Sequence, residues 1–447
     1  MIKADCVVTA CRQLVTCRGG IPKRKDALGD VGLIENGWIA ARKGRIVFIG
    51  TENEFRREVD FERGGLRIDG GGLIALPGFV DAHTHLPFAG DRAEEFSLRL
   101  KGWTYQQLAE KGMGIRSTVK ATRQVPKDEL TALCLKRMDQ MLLHGTTTAE
   151  AKSGYGLNLR DEIKQLEAIR EADRAHPVDL VPTFMGAHEV PEEYRSKKED
   201  YIDLLIHTII PEVRHQDLAR FFDVFCEEGV FSVEDTKRLV EAAKAAGFGI
   251  KVHADEFAPL GGAELAVRAG AVSAEHLIAI TEAGIEALAK SATAAVLLPG
   301  VSFFLMLDRK APARKLVEAG AIVALASDYN PGTSMIGSML FILQLGVFTL
   351  KLSIEEALNA VTTNGAYAIR RQDEVGSLEP GKKMDLLLCD VPAFPHLVYQ
   401  LGVNPVTHVI KNGALVVKDG RLAYSTAAGA PGLPEGSTSA AKARPLT

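Results

Sequence analysis

The feature that most constrains the fold is an alternation of short apolar runs and amphipathic helical stretches between about residues 76 and 371. Helical periodicity separates most of the runs, for example over residues 128–144, 157–176 and 233–246. The strand candidates are residues 78–81, 146–150, 180–185, 222–225, 250–253, 273–275, 295–298 and 322–326. Strands in this arrangement predict an α/β fold, a parallel (β/α)8 TIM-like barrel, with a doubly wound open sheet as the alternative.

Both ends of the chain carry hairpin signals. Residues 38–50 contain two short strand patterns around a Lys-Gly turn, and residues 409–422 contain three, joined by Asn-Gly and Asp-Gly turns. We therefore expect the two termini to pair into one small β-sandwich domain. The predicted boundaries are residues 1–75 with 373–424 for this domain, 76–372 for the barrel, and 425–447 for a disordered tail rich in Gly, Pro, Ser and Ala.

Composition and the placement of charges argue against several classes of protein. The chain has 53 basic and 57 acidic residues, a formal net charge of −4, so it lacks the basic surplus that a nucleic-acid partner requires. Asp5, Arg12 and Arg18 interrupt the apolar character that a signal peptide would need. There is no run of ~18 apolar residues, so no membrane span is expected. These features predict a cytoplasmic protein.

The strongest local signal is the segment Pro-Gly-Phe-Val-Asp-Ala-His-Thr-His, which ends at His85. His83 and His85 are two residues apart at the end of the first strand candidate, so both imidazoles point to the same side. In a barrel this side is the interior at the C-terminal mouth. Two convergent imidazoles make half of a metal site, although an accidental surface pair is the alternative.

Three further strand candidates end in residues that suit metal chemistry. His253 ends the fifth, and Glu256 lies three residues on, where it can accept a proton from an activated water. Asp328 ends the eighth and can complete a metal site, although an Asp there is often only a helix cap. His276 ends the sixth and can orient the water or stabilise an oxyanion. A barrel brings all of these strand ends to one mouth.

Taken together, the motifs resemble those of the amidohydrolase superfamily of metal-dependent barrel hydrolases. Residues 375–386 are similar to that family's return from the barrel to the β domain. Residues 221–229 contain no Lys that could be carboxylated to bridge two metals, so the resemblance favours one divalent ion, Zn²⁺ or Fe²⁺. It implies His83, His85, His253 and Asp328 as metal ligands, and catalytic roles for Glu256, His276 and Asp328.

Four more segments, residues 90–96, 111–123, 150–157 and 185–191, resemble a branch that opens cyclic amides carrying a carboxylate tail. A planar, permanently charged guanidinium suits a carboxylate, so Arg92 is the expected anchor. The alternative is an ion pair with Glu94 or Glu95. The other substrate contacts implied are Tyr155, His188, Glu256, Asn330, Gly332 and Thr333. Tyr155 can instead merely pack, and the turn at Gly332 can serve shape alone. The expected partner is a small anionic heterocycle, and the resemblance implies a homodimer.

Two other functions remain open at this point. A cytosine- or guanine-type aminohydrolase shares the histidine motifs but binds a neutral base, so it needs no carboxylate anchor, and Arg92 is the residue that discriminates. A barrel protein that has lost its metal and serves in binding or assembly would lack ligands, whereas here none is missing.

Overall fold

The computed structural model describes residues 1–103, 107–108 and 111–424, which form a barrel and a separate mixed sheet. The predicted disordered tail, residues 425–447, lies outside the described residues. Among the described residues, no helix combines the length and the apolar character needed to cross a membrane.

Eight parallel strands follow one another around the barrel in the order in which they occur in the chain. They are β6 (Phe79–Asp81), β7 (Thr146–Lys152), β8 (Asp179–Ala187), β9 (Phe221–Cys226), β10 (Gly249–Ala254), β11 (Ser273–His276), β12 (Ala294–Leu297) and β13 (Ile322–Leu325). Sequential order confirms the predicted barrel and excludes a doubly wound sheet, in which the strand order reverses.

Helices connect the strands, and several begin at capping side chains. Asn158 accepts a hydrogen bond from the first turn of the helix that follows β7, and Ser232 with Asp235 forms a capping box after β9. The α-helices are α1 (Glu52–Glu58), α2 (Ala93–Leu100), α3 (Ile115–Gln124), α4 (Lys127–Leu143), α5 (Leu159–Ala175), α6 (Lys198–Leu204), α7 (Ile210–His215), α8 (Val233–Ala245), α9 (Gly262–Ala269), α10 (Glu282–Ala289), α11 (Pro299–Phe304), α12 (Ala313–Ala319), α13 (Met339–Leu350), α14 (Ile354–Ala360), α15 (Thr363–Ala368) and α16 (His396–Tyr399). Short 3-10 helices span Lys25–Gly29 and Glu192–Tyr194, and a π-helical turn spans Leu205–Ile209.

The barrel is closed by the residues that follow β6 and β13. Thr84 and Tyr329 form a parallel bridge. The Asp328 N–H donates to the His83 carbonyl at 3.0 Å, and the His85 N–H donates to the Tyr329 carbonyl at 3.1 Å. Closure of the barrel therefore places the His83–His85 pair directly beside Asp328.

The two termini build the small β domain that the sequence predicts, and its strands form one nine-stranded mixed sheet. The remaining strands are β1 (Ile2–Val15), β2 (Leu33–Arg42), β3 (Arg45–Gly50), β4 (Val59–Asp69), β5 (Ile74–Pro77), β14 (Leu386–Cys389), β15 (Val406–Lys411), β16 (Ala414–Lys418) and β17 (Arg421–Leu422). The N-terminal and C-terminal parts join where β5 pairs antiparallel with β14. Because β5 also leads directly into β6, this sheet is fixed to the start of the barrel.

A buried ion cluster links the sheet to the lower end of the barrel. Asp179, the first residue of β8, lies 2.8 Å from Lys383 Nζ, 2.9 Å from Lys411 Nζ and 3.6 Å from Arg371. Lys411 also contacts Asp385 at 2.5 Å. Burial acts to raise the pKa of Asp179, but the three cations outweigh it and hold the pKa far below its ordinary value.

Candidate metal centre

Three histidines from two strand ends converge at the mouth of the barrel. One nitrogen from each of His83, His85 and His253 lies within 4.8 Å of the others. The Nε2 atoms of His83 and His85 are 3.3 Å apart, and Asp328 Oδ1 lies 3.3 Å from the first and 3.4 Å from the second. All four side chains are buried. The structure thus brings together the four residues that the family resemblance implies as metal ligands.

The atoms in this cluster suit a divalent cation. His253 Nε2 and Asp328 Oδ1 are buried and make no regular hydrogen bond within the described chain. A buried polar atom without a partner costs about 1–3 kcal/mol. Three imidazole nitrogens and one carboxylate oxygen form a donor set that Zn²⁺ and Fe²⁺ both accept, so the residues fit the metal.

Burial and the contacts among these side chains shift the pKa of each residue in the cluster. Burial acts to raise the pKa of Asp328, but the imidazoles of His83 and His85 outweigh it, and the pKa is well below its ordinary value. Burial acts to lower the pKa of His83, but Glu275 outweighs it and raises the pKa to about 9. Burial and the neighbouring His83 hold the pKa of His253 well below its usual range. Asp328 is therefore the anionic member of the cluster, and His253 is a neutral one.

Glu256 and His276 lie beside the ligands. His276 Nδ1 is 3.4 Å from Glu256 Oε1, and its ring centroid is 5.0 Å from that of His253. Burial, with Asp328 as the next cause, raises the pKa of Glu256 well above its ordinary value, while burial and His253 lower that of His276. The backbones of His276 and Asp328 have positive φ angles, 73° and 53°, a strain that often occurs at functional sites.

The Arg92 guanidinium is already paired. Its Nε donates to Glu95 Oε2 at 2.8 Å and its NH2 to Glu95 Oε1 at 2.5 Å, so the structure contains the ion pair that the sequence offers as the alternative to a substrate anchor. The Gly114 N–H also donates to Glu95, at 2.8 Å. The remaining edge of Arg92, its NH1, lies against Gly332, where an added Cβ would approach it to 1.9 Å. A residue with a Cβ at this position would therefore force the guanidinium to move.

Aromatic rings line the other side of the histidine pair. The His188 ring stacks on His85 with centroids 4.9 Å apart, and the Tyr155 ring lies 5.4 Å from His188. His188 Nδ1 is 3.1 Å from the Gly154 carbonyl. Burial, followed by the two neighbouring imidazoles, lowers the pKa of His188 well below its ordinary value. His188 is therefore a neutral hydrogen-bonding group near the ligands.

Most polar groups of the turn after Asp328 form hydrogen bonds within the turn itself. Asn330 Oδ1 accepts from the backbone N–H groups of Gly332 and Thr333, both at 2.8 Å, and Asn330 Nδ2 donates to the Asp328 carbonyl at 2.7 Å. The Thr333 hydroxyl donates to Asp328 Oδ2 at 3.3 Å. The backbone N–H groups of Gly332 and Thr333, two residues expected from the sequence to contact a substrate, are thus bonded within the turn, and Asn330 shapes that turn.

A set of charged side chains beneath the histidine cluster was not predicted from the sequence. They are Glu150, Lys152, Asp223, Lys251 and Glu275, all fully buried inside the barrel. Asp223 lies in the fourth barrel strand, where we single out no ligand-supporting residue from the sequence. The available signal was a charged residue inside a short, otherwise apolar strand, because inward-facing charges are rare unless they are paired.

Residues 74–416 match the model of the Amidohydrolase family. The match covers most of the chain, which therefore belongs to the amidohydrolase family of metal-dependent hydrolases. Within that family, it is 51% identical over 423 residues to an imidazolonepropionase of Symbiobacterium thermophilum, covering 94% of this chain and 99% of the relative. It is 47% identical over 411 residues to that of Alkaliphilus oremlandii, covering 92% and 97%. The chain thus falls in the imidazolonepropionase branch, whose enzymes hydrolyse C–N bonds.

Solved structures show the same fold at low identity. An adenosine deaminase of Xanthomonas campestris with bound zinc has a TM-score of 0.69, 18% identity and coverage of 94% of both chains. An N-isopropylammelide isopropylaminohydrolase of Burkholderia multivorans has a TM-score of 0.66 and 19% identity, covering 93% of this chain and 100% of that one. At these identities the likeness concerns the fold alone.

Proposed function

We propose that the chain hydrolyses 4-imidazolone-5-propanoate to N-formimidoyl-L-glutamate in histidine degradation. Water adds across the ring amide, the carbonyl carbon becomes a carboxylate, and the ring nitrogen leaves as the formimidoyl nitrogen. The observation that carries the proposal is the convergence of His83, His85, His253 and Asp328 beside Glu256. The high identity to imidazolonepropionases over nearly the whole chain supports it.

His83, His85, His253 and Asp328 would hold one divalent ion, Zn²⁺ or Fe²⁺. When bound, such an ion polarises a carbonyl and lowers the pKa of water from ~15.7 toward ~7. Asp328 contributes the charge of the ligand set, and it also accepts the Thr333 hydroxyl, which holds its carboxylate in place.

Glu256 is the residue placed to move protons. Its carboxyl is buried at the ligand cluster, where Oε1 lies 3.4 Å from His276 Nδ1. A raised pKa makes the carboxylate a stronger base and lets the protonated form persist closer to neutral pH, so Glu256 can receive a proton from the attacking water and return it to the departing ring nitrogen. His276, kept neutral by burial, can donate a hydrogen bond to the carbonyl oxygen as it gains charge.

Different side chains would contact the two ends of the substrate. The NH1 edge of Arg92, beside Gly332, is the candidate contact for the propanoate carboxylate, and Glu95 holds the rest of the guanidinium. Tyr155 and the neutral His188 lie beside His85, where they can hydrogen-bond the ring and the tail.

A direct assay tests this function. Purified protein is expected to remove the ultraviolet absorbance of imidazolone propanoate, to lose that activity with a chelator and to regain it with Zn²⁺ or Fe²⁺. Metal analysis of the same sample assigns the ion. If the substrate is not consumed with either metal present, the proposed reaction is wrong.

The second candidate is an aminohydrolase for a neutral heterocyclic base, such as cytosine or guanine. The observation that favours it is the Arg92–Glu95 pair, which already neutralises the proposed anchor. Release of ammonia from cytosine or guanine, with no turnover of imidazolone propanoate, would support this alternative.

The proposal also includes a cytoplasmic homodimer. It rests on the resemblance to the imidazolonepropionase branch. Analytical ultracentrifugation of the full chain measures the oligomeric state, and a sedimentation coefficient of a monomer would contradict the dimer.

A further inference from the structure

Two buried lysines join three buried carboxylates beneath the metal ligands. Lys152 Nζ lies 2.8 Å from Glu150 Oε2, 2.7 Å from Asp223 Oδ2 and 3.0 Å from Glu275 Oε2. Lys251 Nζ lies 2.9 Å from Glu150 Oε1 and 2.8 Å from Glu275 Oε1. We call these five residues the lysine–carboxylate network. All of their side chains are 0% exposed.

The network reaches two of the four ligands. Glu275 Oε2 lies 2.6 Å from Nδ1 of His83, and Asp223 Oδ2 lies 3.1 Å from Nδ1 of His253. Both contacts lie within ion-pair distance, although neither has the alignment of a regular hydrogen bond. In both rings Nδ1 is the nitrogen paired with the network, which leaves Nε2 as the nitrogen available to a metal. A carboxylate at the far nitrogen of a ligating imidazole fixes its tautomer and ring orientation.

The network is held from several strands at once. Lys251 donates to the Ala82 carbonyl at 3.0 Å, next to the first ligand. The Ser273 hydroxyl donates to Glu275 at 2.9 Å, and the Thr183 hydroxyl donates to Glu150 at 2.5 Å. Each carboxylate therefore has partners other than the histidines, and its position does not depend on the metal.

The charges of the network suit a divalent ion. Two ammonium groups and three carboxylates leave one net negative charge, and Asp328 at the mouth adds another. A divalent cation would balance these two charges. A network that merely filled the barrel could equally well be neutral or apolar, because apolar residues of similar volume often stabilise a core as well as a buried ion pair does.

We propose that the lysine–carboxylate network is a positioning device for the metal: Lys152 and Lys251 hold Glu275 and Asp223 so that His83 and His253 present Nε2. This inference depends on the metal centre but not on the identity of the substrate. A failure of the network proposal therefore leaves the proposed reaction untouched, and a failure of the reaction leaves the network testable.

The test is a double variant that keeps the charge of the network. Lys152→Met with Asp223→Leu removes one charge of each sign and replaces the pair with apolar side chains. We expect the variant to fold, to bind Zn²⁺ about 10–100-fold more weakly in a competition titration with a chromophoric chelator, and to show a mixed tautomer for His253 in ¹⁵N NMR of the metal-free protein. The matched control is Lys411→Met with Asp385→Leu, another buried pair, at 2.5 Å but in the β domain. This control should bind Zn²⁺ like the wild type.

Two results would overturn the proposal. One is a folded double variant whose Zn²⁺ affinity and His253 tautomer match the wild type. The other is a control variant that loses Zn²⁺ affinity to the same extent, which would reduce the effect to general loss of stability. If the double variant does not fold, Asp223→Asn carries the test, because the amide keeps an acceptor oxygen without the charge. We expect a smaller loss of affinity for Asn, and unchanged affinity with an unchanged tautomer would again refute the proposal.

Discussion

Arg92 and Glu95 form a bidentate ion pair at the barrel mouth, and their side chains are only 13% and 6% exposed. The pair fixes the plane of the guanidinium and leaves NH1 as the edge next to Gly332. An anchor that is held in place before the ligand arrives loses little conformational freedom on binding. The ion pair is therefore compatible with an anchoring role for Arg92. Kinetics of Arg92 variants on imidazolone propanoate and on a neutral base decide between the two proposed substrates.

The first prediction concerns this anchor. Arg92→Met should raise KM for imidazolone propanoate about 10–100-fold, because a hydrogen bond to a charged group contributes about 1.5–3 kcal/mol. The change in kcat should be much smaller, since Arg92 is assigned to the tail rather than the reacting carbonyl. Steady-state kinetics measure both. Glu94→Gln, a neighbouring acidic residue that does not pair with Arg92, is the control, and an unchanged KM in Arg92→Met would refute the anchor.

The second prediction tests the close approach of Gly332 to the guanidinium. In Gly332→Ala the new Cβ would lie 1.9 Å from Arg92 NH1, so the guanidinium must move. We expect KM to rise in the same direction as in Arg92→Met, with a normal thermal unfolding midpoint because a flexible side chain can yield. Gly29→Ala is the control, since a Cβ there meets nothing within 4 Å. Normal KM in Gly332→Ala would mean that Arg92 does not act from this position.

The third prediction separates proton transfer from metal binding. Glu256→Gln should lower kcat by about 10²–10⁴-fold, the usual contribution of a general acid–base group. Its Zn²⁺ content should stay normal, because Glu256 is not in the proposed ligand set. Kinetics and metal analysis of one preparation check both statements. Loss of metal from the variant would instead make Glu256 a ligand.

The fourth prediction concerns Asp179 and acid stability. The cations of the buried cluster depress the folded-state pKa of Asp179, so its stabilisation is present above the unfolded value of ~4 and is lost as the pH falls toward the folded value. Asp179→Asn should therefore destabilise the protein at pH 7, by about 3–5 kcal/mol, because it leaves three cations of the cluster with one carboxylate fewer than they need for charge balance.

Urea unfolding at pH 7 and pH 3 measures this difference. The gap between Asp179→Asn and the wild type should narrow at the lower pH. Asp60→Asn is the control, since Asp60 forms a surface pair with Lys3 and should have little effect. Equal stability of Asp179→Asn and the wild type at pH 7 would show that this cluster does not hold the two domains together.

Local patterns in the sequence determined much of the fold. Each barrel strand lies within two residues of its predicted ends, because a short apolar run between cap and turn residues has few other structures open to it. The hairpin signals at residues 38–50 and 409–422 likewise correspond to paired strands. The pairing of the two termini was also predicted, but the strands that join them were not, because the β5–β14 pairing joins residues more than three hundred positions apart.

The sequence by itself also determined which groups end the strands, and so the chemistry available at the mouth: His83, His85, His253 and Asp328 are visible as strand-end residues. Only the tertiary structure decided the partners of those groups. The pairing of Arg92 with Glu95, and the placement of Asp223 and Glu275 behind the histidines, depend on distances between separate strands and loops. Spacing along the chain reports the direction of a side chain within one strand, but barrel closure sets which charges meet.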